Sequence, residues 1–291
     1  MIAGFAMMAG GVAAGLFGSL LGLGGGVLIV PLLTLGFGLP LLTAVGVSLV
    51  CVIMTSGAAA GVYLERHVAN LRLGMTLELF TAGGALLGGL VAFLLPERVL
   101  EGIFTALLVY VAVTMARRRD PVPGSSTTAR LPAESAEPAD SSRLDDPATS
   151  PSARPAATGV RATLAGPGYE IHRLGPGAIG SIGAGVISAL LGVGGGLVKV
   201  PVMHVIMGVP LRVATATSNL MIGITASASA IIYLLRGGID PYVAAPTAIG
   251  VFVGASIGSR VAHRIDLRIL RGLFVAILLY TAWQMLQRAL S

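Results

Sequence analysis

The stretch GLFGSLLGLGGGVLIVPLL (Gly15–Leu33) returns in the same chain as GVISALLGVGGGLVKVPVM (Gly185–Met203), displaced by 170 residues without a gap. The register holds on both sides of the motif. Gly38, Pro40, Leu41, Ala44 and Ser48 fall on Gly208, Pro210, Leu211, Ala214 and Ser218. Tyr63, Leu64 and Arg66 fall on Tyr233, Leu234 and Arg236, and Gly102, Phe104 and Tyr110 on Gly272, Phe274 and Tyr280. Apolar sequence of low complexity matches itself by chance, but coincident Gly, Pro, Tyr and Arg positions argue for a duplicated unit.

Composition names the solvent of that unit. Of 291 residues, 55% are hydrophobic and 11% charged, against about 25% charged in an ordinary soluble domain. Uncharged runs such as Leu41–Leu64 and Tyr242–Ser259 reach the roughly 18 residues needed to cross a bilayer core. The formal charge of +6 does not indicate nucleic acid, because the charges sit in short loops and one polar stretch between apolar runs. The single cysteine, Cys51, lies in an apolar segment and provides neither a disulfide framework nor a metal cluster. No cofactor is expected. The opening MIAGFAMMAGG lacks a basic n-region and reads as the start of a first helix, not as a cleaved signal.

Each copy divides into five apolar segments. In the first they are Ile2–Leu21, Gly26–Leu39, Leu41–Leu64, Leu73–Leu95 and Val99–Ala116. In the second they are Gly177–Leu191, Gly196–Val209, Val213–Leu235, Tyr242–Ala262 and Ile269–Leu286. The expected fold is an all-α integral membrane protein: a first repeat over 1–119, a disordered linker over 120–170 rich in Pro, Ser, Ala and Asp, and a second repeat over 171–291. An odd number of segments turns the second repeat upside down. Arginines agree with that inversion. With both termini outside and the linker's own arginines set aside, the cytoplasmic side holds Arg66, Arg72, Arg117, Arg118, Arg119, Arg173, Arg212, Arg260, Arg264, Arg268 and Arg271. The outer side holds only Arg98, Arg236 and Arg288. This is the asymmetry that positive-inside topology produces, and it places the linker in the cytoplasm.

Within each repeat the first two segments are unusual. Gly26–Leu39 has 14 residues, about 21 Å as a helix, short for a crossing. It follows the run Gly22–Gly26 and carries Pro31; the second copy repeats this with Gly192–Gly196 and Pro201. Interrupted segments at matching positions of two halves point to a transporter site. Gly24, Gly25, Gly26, Gly194, Gly195 and Gly196 would let the backbone leave the helix beside a ligand, and the following helix starts would offer N–H groups to an anion. Glycines in membrane helices also serve close packing, and the chain has 41 of them. Lys199 stands three residues after Gly196, where the first copy has Ile29. Buried at depth it would pair with an anion; otherwise it snorkels to an interface. Ser48 and Ser218 match, with Thr217 and Asn219 beside the second; they either orient an oxyanion or join helix to helix. His204 reads as packed or interfacial. Glu78 reads as a near-interface carboxylate, with a coupling-proton role as the alternative.

Enzymatic patterns do not fit. There is no His-Glu-x-x-His, no Walker Gly-Lys-Ser/Thr, and no dinucleotide fingerprint with a strand before it and an acid after it. The duplicated Gly-Leu/Val-Gly-Gly-Gly with a proline five residues on resembles the TauE/SafE family of sulfite exporters, over both halves and excluding 120–170. The resemblance implies a plasma-membrane carrier for sulfite or an organosulfonate such as sulfoacetate. The expectation is therefore a secondary transporter of a small sulfur oxyanion working by alternating access, with an anion channel or a non-transporting membrane scaffold as alternatives. Expected partners are the anion and the bilayer, and the Gly-rich surface allows a homodimer.

Overall fold

The computed structural model describes residues 2–21, 25–65, 70–117, 171–261 and 267–290. The expected linker, and Gly24 with it, lie outside the described residues. Among the described residues every regular element is a helix: α1 Ile2–Leu21, α2 Gly26–Pro31, α3 Leu41–Glu65, α4 Leu71–Ala92, α5 Glu97–Arg117, α6 Leu174–Leu191, α7 Gly196–Pro201, α8 Leu211–Leu235, α9 Pro241–Val261 and α10 Leu267–Leu290. Six helices among the described residues are long and apolar enough to cross a membrane, and the chain is a multi-pass membrane protein.

Helix α4 is inside-out relative to a helix of a water-soluble bundle. Along α4 the buried face carries Gly74, Leu77, Glu78, Thr81, Gly84, Ala85 and Gly88. Its exposed face carries Met75, Leu79, Leu86, Leu87 and Leu90. Large apolar side chains lose nothing in lipid, so packing selects small residues for the interior. Interior threonines return their hydroxyls to their own helix, as Thr81 does to Leu77 O at 2.8 Å and Thr247 to Val243 O at 2.7 Å.

Two glycine-lined crossings hold the bundle. Helix α1 packs along α9, and α6 packs along α4. An ideal Cβ on Gly84 would lie 2.2 Å from Ile182 O, and one on Gly185 would lie 2.0 Å from Thr81 O. Across the other crossing, Gly254 would meet Val12 O at 2.1 Å and Gly15 would meet Val251 O at 2.3 Å. Gly15 matches Gly185 and Gly254 matches Gly84 under the repeat, so both crossings use the same positions. The remaining pairs are α3 with α8 and α5 with α10, and each fourth helix or its counterpart also reaches α8 or α3. The first helix of each half is thus covered by the fourth helix of the other.

Helix ends are fixed by polar contacts. Asn70 caps α4 by accepting from Leu73 N at 3.1 Å, which carries its start two residues upstream of the expected Leu73. At α5 the start moves from Val99 to Glu97, whose Oε1 accepts Leu41 N at 2.7 Å and so satisfies the first turn of α3. The short segments end at Gly36 and Ile206, earlier than expected, each closing in a π-helical turn, Leu32–Gly36 and Val202–Ile206.

Gly84→Ala should lower the thermal midpoint in detergent, corresponding to about 1–3 kcal/mol of overpacking. Gly83→Ala, one residue away with nothing within 4 Å of its Cβ, should be neutral or slightly stabilising. Equal effects of the two would contradict the close backbone approach.

Candidate functional site

Each short helix begins on a glycine with left-handed backbone. Gly25 has φ 75° at the start of α2, and Gly195 has φ 75° at the start of α7. A side chain there would be strained. Gly25 O accepts from Leu28 N and Ile29 N, and Gly195 O accepts from Val198 N and Lys199 N, which starts both helices in the same way. Pro31 and Pro201 then remove one ladder bond each, and the chain continues with the wider π turns.

The two breaks meet. An ideal Cβ on Gly26 would lie 2.6 Å from Gly192 O and 3.1 Å from Ser48 Oγ. Ser48 donates to Gly192 O at 2.7 Å and also approaches Gly26 O at 3.3 Å, so one hydroxyl of α3 joins both breaks. Val52 and Ile222, which match under the repeat, close over Gly194, each 2.7 Å from its ideal Cβ. Ile222 also covers Gly196. Of the glycines singled out from sequence, Gly25, Gly26, Gly194, Gly195 and Gly196 therefore gather around one centre with Ser48 and Ser218.

The matched serines differ. Ser48 is bonded, whereas Ser218 Oγ is buried without a hydrogen-bond partner, 3.6 Å from where a Cβ on Gly196 would stand. Ser188 Oγ is in the same state, 3.6 Å from the ideal Cβ of Gly195. A buried hydroxyl without a partner is uncommon and calls for an explanation. Two of them flank the start of α7. Ser188 was not among the expected residues; its signal in the sequence was a departure from the repeat, since Gly18 occupies the matching place. Thr217 joins helix to helix, accepting Asn70 N at 3.0 Å. Asn219 is half-buried, and its carbonyl accepts the Ser56 hydroxyl at 2.9 Å while Ser56 Oγ accepts Gly223 N at 3.0 Å.

Lys199 does not snorkel. It is 1% exposed, and its Nζ donates to Glu78 Oε2. The other oxygen, Glu78 Oε1, accepts from Thr225 Oγ1 at 2.5 Å. Glu78 is 4% exposed, and its carboxylate is held inside the protein between a cation and a hydroxyl. In this arrangement the lysine charge is already answered by Glu78. His204 is exposed, with Nδ1 2.9 Å from Val209 O.

Among the described residues no group of three or more His, Cys, Asp or Glu gathers to hold a metal. A cavity of about 490 Å³ lies between α1, α2 and α10, lined by residues including Ala14, Phe17, Leu28 and Tyr280. Another of about 570 Å³ lies between α3 and α9, around Val50, Met54 and Phe252. Neither wall includes Glu78 or Lys199.

The model of the family described as "Sulfite exporter TauE/SafE" matches residues 7–285. The chain belongs to the TauE/SafE family. Among relatives, the probable membrane transporter protein YunE of Bacillus subtilis (strain 168) is 24% identical over 88% of this chain and 87% of its own length. A probable membrane transporter protein of Sinorhizobium sp, ORF9, is 34% identical over 34% of this chain and 38% of its own. The probable membrane transporter protein MamO of Paramagnetospirillum magneticum (strain ATCC 700264 / AMB-1) is 26% identical over 98% of this chain and 44% of its own length. No solved structure matches. As a TauE/SafE protein the chain is a membrane transporter, and these relatives are named as transporters and not as enzymes.

The serine asymmetry has a measurable consequence. Ser48→Ala leaves Gly192 O without its donor and should cost about 1–3 kcal/mol of stability. Ser218→Ala removes a hydroxyl that has no partner to lose and should leave the melting temperature unchanged or raise it.

Proposed function

We propose that this TauE/SafE protein is a secondary transporter moving a small sulfur oxyanion, sulfite or an organosulfonate, across the plasma membrane by alternating access. The observation that carries this reading is the meeting of two broken helices, one from each half, at Gly26 and Gly192. Non-helical backbone at membrane depth is tolerated where it is buried or lines a ligand cavity. A pair of such breaks at one point is the arrangement expected of a carrier whose halves move about a central site.

In this reading the halves are inverted repeats of five segments, with both termini outside and 120–170 a cytoplasmic linker. The equivalence of the α1–α9 and α6–α4 crossings supports it, as does the distribution of arginines. Gly25, Gly26 and Gly194–Gly196 present backbone donors, Ser188 and Ser218 supply hydroxyls that have no other partner, and Lys199 supplies the positive charge. Oxyanions suit this set because it is rich in donors and its one cation stands a single turn from Gly195.

The test is uptake into proteoliposomes. Radiolabelled sulfite should enter saturably and be accelerated by unlabelled sulfite on the opposite side, and sulfite should raise the melting temperature of the purified protein. Gly26→Val, which drives a side chain into Gly192 O, should abolish uptake in protein that still inserts. Unitary conductance without counterflow would replace the carrier by a channel, and full uptake by Gly26→Val would move the site elsewhere.

A further inference from the structure

The ion pair inside the bundle joins the two halves, Glu78 from the first and Lys199 from the second, and is not repeated at the matching positions. Under the repeat, Lys199 matches Ile29, Glu78 matches Ala248 and Thr225 matches Thr55. Ile29 and Ala248 are buried as deeply as their charged counterparts, at 0% and 5% exposure. The fold therefore accepts apolar side chains at one set of matching positions, Ile29 and Ala248, and a lysine and a carboxylate at the other. Burying both charges carries a desolvation cost that an apolar pair avoids. Packing does not require the pair.

The geometry around Glu78 accommodates two protonation states. Thr225 Oγ1 donates to Glu78 Oε1 at 2.5 Å and lies 3.3 Å from Met221 O. With Glu78 ionised, the Thr225 hydrogen goes to the carboxylate. With Glu78 protonated, it can turn to Met221 O while the oxygen accepts the carboxyl O–H. Among the described residues, few other ionisable groups lie on the elements packed around the pair. Helix α6 contains none, α8 contributes Tyr233, which donates to Ala189 O at 3.0 Å, and Arg212 at its start, and Arg72 on α4 itself is exposed. The lysine belongs to α7, whose first turn carries Gly195 and Gly196, and Thr225 is one turn beyond Ile222, which covers those glycines. The pair is mechanically part of the glycine centre.

We propose that Glu78 is a proton-coupling site: an entering oxyanion takes over Lys199 as the released Glu78 carboxylate takes up one proton. This rests on the anion-transport reading and narrows its substrate class. Before entry the buried site holds one carboxylate and one ammonium; afterwards it holds a carboxylic acid, the ammonium and the anion. No covalent bond to the substrate forms or breaks, and the proton comes from water on the side of entry. Neutrality is kept in both states only if the cargo carries a single negative charge. A dianion would leave a net charge at membrane depth unless it brought a second proton. The favoured cargo is thus a monoanion, hydrogensulfite or a simple alkanesulfonate, in preference to doubly charged sulfoacetate.

Full-length protein in liposomes enclosing a pH-sensitive dye, with the membrane potential clamped, tests this with methanesulfonate as probe. An inward methanesulfonate gradient should acidify the lumen, an imposed inward proton gradient should accelerate uptake, and changing the clamped potential should not. Glu78→Gln should lose at least about ten-fold of the proton-driven accumulation, corresponding to 1.4 kcal/mol of coupling. The double variant Glu78→Ala with Lys199→Ile, which copies the residues at the matching positions, Ala248 and Ile29, should purify and melt like the wild type, showing that the pair is not needed for folding. Methanesulfonate or sulfite uptake with no proton movement, uptake driven by potential, or Glu78→Gln coupling protons as the wild type does would overturn the proposal while leaving anion transport intact. If the wild type moves no anion under any gradient, the transport reading and the coupling fall together.

Discussion

Lipid offers no hydrogen bonds, so wherever the chain leaves the helix inside a membrane its backbone must be answered by protein. In this protein that constraint acts at Gly25, where α2 begins, and at the junction of α6 with α7. That junction turns its Gly192 carbonyl toward Gly26, and Ser48 satisfies it. The contact is possible only because Gly26 has no side chain where the two backbones approach. A break that would be costly alone is stabilised by its counterpart.

The rest of the bundle keeps the two breaks in register. Glycines on α4 and α9 let α6 and α1 come to backbone distance, while large apolar residues such as Met75, Leu79 and Phe252 face outward, where lipid receives them. Because the first helix of each half lies against the fourth helix of the other, the halves share one interior.

Duplication placed matching residues in both copies, and divergence made them unequal. Ser48 is bonded and Ser218 is not; Ser188 stands where the other copy has Gly18; Ile29 and Ala248 stand where the other copy has Lys199 and Glu78. The polar character has collected around α7. The scaffold is thus charged at one set of matching positions and apolar at the other.

Most of the architecture was legible in the sequence, because lipid imposes long apolar runs and duplication prints the same glycines and prolines twice. The periodic segments, the two breaks at Gly22–Gly26 and Gly192–Gly196 and the outlying Lys199 were all visible in one dimension. Element ends were less so, since Asn70 and Glu97 fix them through contacts whose partners are a turn or a whole helix away. What the sequence could not express was partnership across 121 to 147 residues: that Lys199 faces Glu78, that Thr225 holds the second carboxylate oxygen, and that Ser48 answers Gly192. Local pattern determines which segments are helical and which must break, because those choices depend on neighbours in the chain. Which charge meets which carboxylate depends on how the helices cross, and only the tertiary structure decides it.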